Sequence, residues 1–483
     1  MRPGKVSSSR IGIGLLGSCA MLLRSPISFS GVRSVPLLGG RGHVPHGRCC
    51  HTRRSLRGSL QTVPLPREVA SCEHVYCLLS TLGLEPEAKA LVAKALPGRQ
   101  LHFGYVPRPS KFSNQDRGHA AAAQLLLGLD GQMLNPELKI PGIISMSAYV
   151  AACHGIPDSP ADDALKAIRV WAARQGHEMQ RALALTYFGM QALKSERKEK
   201  QRPTFRASMI RDGLHEFNSE KAMVALGAGA DEALPWQVDL KNFDVELTGI
   251  LHGDTLTVSL ACAAAERTSA LHPSELYREK RLWGLSNERH MRYSTATLML
   301  ELAGVLPGES ILDICGGAGT IPLEAVTQIE GVRAISADKR DKICQVARDN
   351  LASAMSSNLL ASSAAMEVAC RSLETWPGDE SVKESFDAVV SELPFGVSMR
   401  SVDPERLLES LEWVLRPTSG RAALIIPRSK TFLQTLHREV FTREVWDDQY
   451  VLRDGNVGGC YVHILLLRRS STSAVRRRER SRL

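Results

Sequence analysis

Ile311-Leu-Asp-Ile-Cys-Gly-Gly-Ala-Gly-Thr-Ile-Pro-Leu-Glu-Ala325 is the stretch that decides the fold. Apolar residues run into a turn containing Gly316, Gly317 and Gly319, and helix-forming residues follow from Thr320. A buried strand that empties into such a turn and then a helix is the opening unit of a doubly wound α/β sheet, whose ligands sit outside the carboxyl ends of the strands. Glycine is needed there because it admits unusual dihedrals and lets the backbone approach a ligand closely. A structural tight turn is the bland alternative.

Downstream the pattern continues. Gly331-Val-Arg-Ala-Ile-Ser-Ala-Asp338 reads as the next strand, ending in an acid able to bind ribose hydroxyls. Asp313 can accept a hydrogen bond from a cationic cofactor such as the amino-acid moiety of S-adenosylmethionine. The same spacing also permits a nicotinamide cofactor. Then Val389-Val-Ser-Glu-Leu-Pro-Phe-Gly396 takes a buried strand into a carboxylate, a proline-stiffened turn and an aromatic. Such a turn offers acceptors for an exocyclic amine at Glu392 and Leu393, with Phe395 able to stack on a base. A core phenylalanine in a simple loop is the competing interpretation.

Around these motifs strands and helices alternate. Strands are expected at 310–314, 332–336, 365–369, 386–391 and 420–426, with helices at 320–328, 339–353, 403–416 and 430–437. A helix at 294–303 precedes them, and terminal strands lie near 443–451 and 460–467. This alternation predicts a mostly parallel sheet with helices on both faces.

At 483 residues the chain exceeds one ordinary core, so a second domain is expected upstream. Strands are read at 73–80, 100–105, 204–210, 238–248 and 255–261, and helices at 85–95, within 159–195 and at 219–226, where Gly227 or Gly229 ends the run. Trp171, Leu185 and Phe188 are candidate core positions, and the charged run 194–203 reads as a solvated linker.

The net charge of +9 sits at the ends of the chain. Residues 1–60 hold ten Lys or Arg and no acid, and the remainder balances 50 basic against 51 acidic residues. Seven arginines against Glu479 in 468–483 can neutralise phosphates or form a solvated tail. The arginine- and serine-rich start, with an apolar run at 11–23 too short to span a membrane, resembles an organellar targeting sequence, mitochondrial or other, with cytoplasm or nucleus as the alternative. The eleven cysteines lack metal-site or disulfide spacing, so no metal is expected.

The two motifs together with Ser80-Thr-Leu-Gly-Leu-Glu-Pro-Glu-Ala88, Thr204-Phe-Arg-Ala-Ser-Met209, Val238-Asp-Leu-Lys-Asn-Phe-Asp-Val-Glu246 and Asn456-Val-Gly-Gly459 carry a resemblance. Across about 72–468 the chain is similar to the THUMP-domain RNA methyltransferases that form N2-methylguanosine. The resemblance implies a disordered or targeting extension at 1–65, an α+β ferredoxin-like/THUMP RNA-binding region at 70–263, a Rossmann-like class I S-adenosylmethionine-dependent methyltransferase domain at 267–468 and a basic tail at 469–483. It implies S-adenosylmethionine contacts at Asp313, Cys315, Gly316, Gly317, Gly319, Thr320, Asp338 and Ser372, and base contacts at Glu392, Leu393, Pro394 and Phe395. Arg206, Lys241, Asn242 and Arg292 become RNA-binding candidates, the substrate tRNA, modified at acceptor-stem position 6 or 7, and a TRM112-like activator a partner.

Two departures stand out. Glu392 replaces the family's Asp, adding a methylene where small displacements are costly. Ala369-Cys-Arg-Ser-Leu-Glu374 lacks the Asp expected at adenine, leaving Ser372, or Glu374 from a shifted loop. Small nuclear RNA as substrate, or a non-catalytic RNA-binding protein on the same scaffold, are the alternatives.

Overall fold

A strand covered on both faces has no polar side to show, and such strands organise both sheets of this chain. The computed structural model describes residues 60–106, 122–135, 138–188, 203–213, 215–262, 291–394, 402–443, 445–447, 450–457 and 460–470. Most of the 1–65 extension, nearly all of the 194–203 linker, Phe395, Gly396, Gly458, Gly459 and the tail from 471 lie outside the described residues, as does the side chain of Phe188.

The first sheet is built from β1 (Gln61–Thr62), β2 (His74–Thr81), β3 (His102–Tyr105), β4 (Ala122–Leu129), β5 (Ser145–His154), β6 (Thr204–Asp212), β7 (Gln237–Val238), β8 (Val245–His252) and β9 (Thr255–Cys262). Its order is β3-β4-β2-β5-β9-β8-β6-β7, with β1 on β5. All pairs are antiparallel except β6 with β7 and β8. The helices are α1 (Arg67–Ala70), α2 (Glu85–Ala95), α3 (Ala161–Ala173), α4 (Gly176–Leu183) and α5 (Ser219–Ala233).

Three expectations change here. Strands β4 and β5 were not anticipated: Ala-Ala-Gln-Leu-Leu-Leu-Gly-Leu favours helix, but β4 is held extended by pairing on both sides. Helix α5 runs through Gly227 and Gly229 rather than ending there. A Cβ on Gly229 would collide with the Arg169 carbonyl and lie 2.7 Å from Ala172 Cβ, so this glycine lets α5 pack closely on α3. The expected strand 238–248 is interrupted. Asp239 Oδ1 accepts from the backbone N–H groups of Lys241 and Asn242, at 2.9 and 2.8 Å, and turns the chain before β8 begins.

The second sheet follows α6 (Tyr293–Ala303). Its elements are β10 (Ser310–Asp313), α7 (Thr320–Gln328), β11 (Arg333–Asp338), α8 (Asp341–Ser356), β12 (Ala365–Cys370), β13 (Ala388–Glu392), α9 (Pro404–Val414), β14 (Arg421–Pro427), α10 (Lys430–Thr442), β15 (Val451–Val457) and β16 (Cys460–Arg468). The order is β12-β11-β10-β13-β14-β16-β15, parallel through β14 and antiparallel beyond it. Neighbouring residues of one strand serve separate cores: Ile311 joins Leu298 and Ile321, whereas Leu312 joins Leu407 and Phe432. That division is what a helix-covered, doubly wound sheet requires. The first terminal strand spans Val451–Val457 rather than 443–451, because Trp446 turns inward and is buried against the second core.

The two sheets belong to one unit, residues 57–483, and are joined by a polar seam. Thr81 and Thr295 hydroxyls meet at 2.8 Å, and Asn456 N–H donates to the Leu82 carbonyl at 3.3 Å. Arg453 Nη1 donates to Glu87 Oε1 and Oε2 at 3.0 and 2.8 Å and to the Gly83 carbonyl at 3.3 Å. Gly83 has φ +93°, and a Cβ there would lie 2.6 Å from the Asp454 carbonyl oxygen. Among the described residues no helix is long and apolar enough to cross a membrane.

Glu87 is buried, so Glu87→Gln leaves the Arg453 charge poorly matched and costs about 1–3 kcal/mol of stability in urea unfolding. Lys94→Gln removes the pair with Glu301 at 2.7 Å, but Lys94 is exposed, and the loss stays below about 1 kcal/mol.

Candidate functional site

Parallel strands point their carboxyl ends the same way, and β10, β11 and β13 each end on an acid: Asp313, Asp338 and Glu392. Asp313 is buried, and its Oδ1 accepts from Ser391 Oγ at 2.7 Å and from Cys315 N–H at 3.2 Å. The same Cys315 N–H lies 3.2 Å from Ser391 Oγ, so one serine ties the end of β13 to the turn after β10. Sequence reasoning missed Ser391. Its adjacency to Glu392 was visible, but its pairing with a residue 78 positions away was not.

The glycine turn is shaped by close approach. Gly316 N–H donates to the Ala337 carbonyl at 2.7 Å, and a Cβ on Gly316 would run into the Ser336 hydroxyl. Gly317 has φ +54°, where a Cβ would lie 4.0 Å from the Cys315 carbonyl oxygen, while Gly319, at φ +84°, starts α7 before the buried Thr320. Asn350 Nδ2 donates to the Ala318 carbonyl at 2.9 Å, pinning the turn to α8. A small ligand can therefore lie against bare backbone beside an acid.

Asp338 is held by its neighbour. Arg340 Nε and Nη2 donate to Oδ1 and Oδ2 at 3.0 and 3.1 Å. Ser372 follows β12 and donates to Glu374, whose carboxyl this bond holds below its usual range. Leu393 is fully buried and its N–H donates to the Ile425 carbonyl at 2.9 Å. Pro394 is half-buried, and Phe395 lies outside the described residues.

Burial dominates the electrostatics. It pushes the Asp313 carboxyl up to about 7, with Ser391 and Cys315 hydrogen bonds opposing and the Glu392 and Asp338 charges adding to the rise. Burial likewise pushes Glu392 up to about 7. The Cys315 thiol is raised too, by burial and then by Asp313, so it is a poor nucleophile. A cationic ligand among these acids would offset what burial costs them.

The RNA-binding candidates separate. Arg206 donates to Glu246 Oε1 through Nε and Nη2, at 3.2 and 3.0 Å, and its guanidinium stacks 4.0 Å from the Phe243 ring centroid. Asp244 Oδ2 accepts from Thr204 N–H and Oγ1, both at 2.9 Å, and the Asn242 carbonyl accepts from Thr204 Oγ1 at 3.1 Å. The Asn-Phe-Asp-Val-Glu stretch thus latches β8 to β6. Lys241 projects from the exposed turn, and the Arg292 guanidinium makes no hydrogen bond or ion pair among the described residues. Burial lowers the Arg292 pKa, the position of a cation short of water and of a partner. A groove between α3 and α5, rimmed by Lys166, Arg169 and Lys221, was not anticipated.

Residues 283–451 match the family described as RMKL-like, methyltransferase domain. The chain is 26% identical over 296 residues to mouse tRNA (guanine(6)-N(2))-methyltransferase THUMP3, covering 58% of this chain and 54% of that protein. It is 27% identical over 233 residues to bovine U6 snRNA (guanine-N(2))-methyltransferase THUMPD2, covering 46% and 40%. The chain thus spans about half the length, or less, of the curated relatives it matches. TrmN from Thermus thermophilus superposes with a TM-score of 0.50 at 19% identity, covering 82% of this chain and all of that one. The C-terminal domain therefore has a Rossmann-like S-adenosylmethionine-methyltransferase fold.

The raised Asp313 carboxyl makes stability depend on pH. Its contribution is full below the unfolded value of 3.8 and is lost as pH rises through about 7. Unfolding midpoints in urea fall between about pH 5 and about pH 8, and Asp313→Asn shrinks that fall while leaving the share of Glu392.

Proposed function

We propose that the chain is an S-adenosylmethionine-dependent tRNA (guanine-N2)-methyltransferase forming N2-methylguanosine at acceptor-stem position 6 or 7. The observation that carries this is the ring of three acids, Asp313, Asp338 and Glu392, around a glycine turn at the strand ends. Those charges suit a donor carrying ammonium and sulfonium groups and disfavour the pyrophosphate of a dinucleotide. The guanine specificity named for the mouse and bovine relatives supports the choice of nucleophile.

S-adenosylmethionine, when bound, supplies a methyl group already activated on sulfur. This chain's residues bind and orient. Gly316 and Gly317 admit the methionine moiety against the backbone, beside Cys315, Gly319 and Thr320, and Asp313 accepts from its ammonium. Asp338 takes the ribose hydroxyls in exchange for Arg340, and Ser372 stands at the adenine. Glu392 and the Leu393 carbonyl accept the two guanine N2 hydrogens and aim the nitrogen lone pair at the methyl carbon. Glu392 or water would take the surplus N2 proton once the methyl group has been transferred. Pro394 stiffens the loop and Phe395 stacks on the base.

The N-terminal sheet is the RNA-docking THUMP region, with Lys241 and Asn242 in its exposed turn and Arg292 available to a phosphate. Arg206 supports that turn through Glu246 and Phe243. A TRM112-like protein is the proposed activator and an organelle, mitochondrial first, the proposed location. Small nuclear RNA is the second reading, favoured by the bovine match.

Purified chain, with and without a TRM112-like partner, is expected to transfer labelled methyl to unmodified tRNA and yield N2-methylguanosine. Glu392→Gln keeps the shape but loses an acceptor, and kcat falls about 100-fold or more. Activity rises with pH through about 7, because the ionised Glu392 is the competent acceptor. Product on U6 RNA alone favours the second reading. No transfer to either RNA, with RNA binding intact, overturns the enzyme.

A further inference from the structure

Away from the methyltransferase sheet, three side chains of metal-binding type converge where three strands of the first sheet meet. Cys72 precedes β2, His102 opens β3 and Asp130 follows β4, and their ligand atoms lie within 4.8 Å of one another. The register brings them together: His102 pairs with Gly128, and His74 with Leu129.

The cluster is supported from beneath. A Cβ on Gly128 would lie 2.5 Å from the Cys72 sulfur, so the thiol occupies space that only glycine leaves open. Asp130 Oδ1 accepts from the Glu73 N–H at 3.0 Å, which orients the carboxylate and leaves Oδ2 free of that bond. The His102 side chain makes no hydrogen bond or ion pair among the described residues. The nearby His74 is not a competing ligand, since its Nε2 lies 2.7 Å from the Gly131 carbonyl oxygen. Cys72 is nearly buried, His102 half-buried and Asp130 exposed, so an ion can enter from the aspartate side.

We propose that Cys72, His102 and Asp130 form a transition-metal site best suited to Zn2+, with water as fourth ligand, that clips together the ends of β2, β3 and β4. Thiolate, imidazole and carboxylate form a mixed set that favours zinc over magnesium or calcium. A tetrahedral ion with bonds of 2.0–2.3 Å holds its ligands about 3.3–3.8 Å apart, so closure asks for about 1 Å of side-chain adjustment. The sequence conceals the site because each ligand comes from a separate strand end and no short Cys/His spacing marks it.

The test uses the full chain, chelator-treated and reduced, titrated with Co2+. One equivalent is expected to give the visible ligand-field bands of tetrahedral cobalt with thiolate charge transfer, and Zn2+ is expected to displace it. Zn2+ alone should raise the melting temperature. His102→Gln, at a half-buried position, and Asp130→Asn, at an exposed one, should keep the circular dichroism of the parent yet weaken Co2+ binding about 100-fold or more. Absence of the bands at one equivalent, or wild-type affinity in either variant, overturns the proposal. The outcome is independent of methyl transfer, since no residue involved lies at the strand ends of the second sheet.

Discussion

The bond between Ser391 Oγ and Asp313 Oδ1 is the constraint on which the active end of the second sheet depends. A carboxylate this deeply buried is expensive unless neighbours compensate it. Here Ser391 and the Cys315 N–H compensate it, and in doing so they set the glycine turn and the end of β13 in one frame. The position of Glu392 follows from that frame, because Ser391 is its immediate chain neighbour and Leu393 N–H is fixed to Ile425 on the next strand. A longer acid at 392 can be accommodated only if the strand beneath it does not drift, and this bond prevents drift.

The N-terminal sheet is tied to that frame by hydrogen bonds as well as by apolar contact. The Leu82 carbonyl reaches the last hairpin of the second sheet through Asn456, and Arg453 spans from the same hairpin to Glu87. One core runs across the junction, shared by Leu78 of β2, Leu84 before α2, Leu298 of α6 and Ile464 of β16.

Much of this was legible in the sequence where local chemistry decides. The strand–glycine–helix unit at 311–325 and the alternation after it followed from backbone demands that only a few residue types meet. What escaped was non-local. Strand β4 carries no local strand signal, since leucine and alanine favour helix in isolation, and only its two partner strands make it extended. Gly229 looked like a helix end until the closeness of α3 supplied another reason for glycine. The Asn-Phe-Asp-Val-Glu stretch was recognised as distinctive, but its asparagine had been read as a docking residue. Its backbone carbonyl also accepts from Thr204, while Phe243, Asp244 and Glu246 hold β6 through Arg206 and Thr204. Ser391 carried no local signal, since nothing in its surroundings names Asp313 as a partner.

The fork from Arg340 to Asp338 has a kinetic meaning. On the proposed assignment of Asp338 to the cofactor's ribose, that ribose would have to displace a charged, two-point rival, so part of its binding energy would be cancelled on arrival. The same rival stands ready when the cofactor leaves, shielding the carboxylate as contacts to the ribose are lost. On that assignment Arg340 would lower affinity while easing departure, favouring rapid exchange of spent donor for fresh over long retention of either.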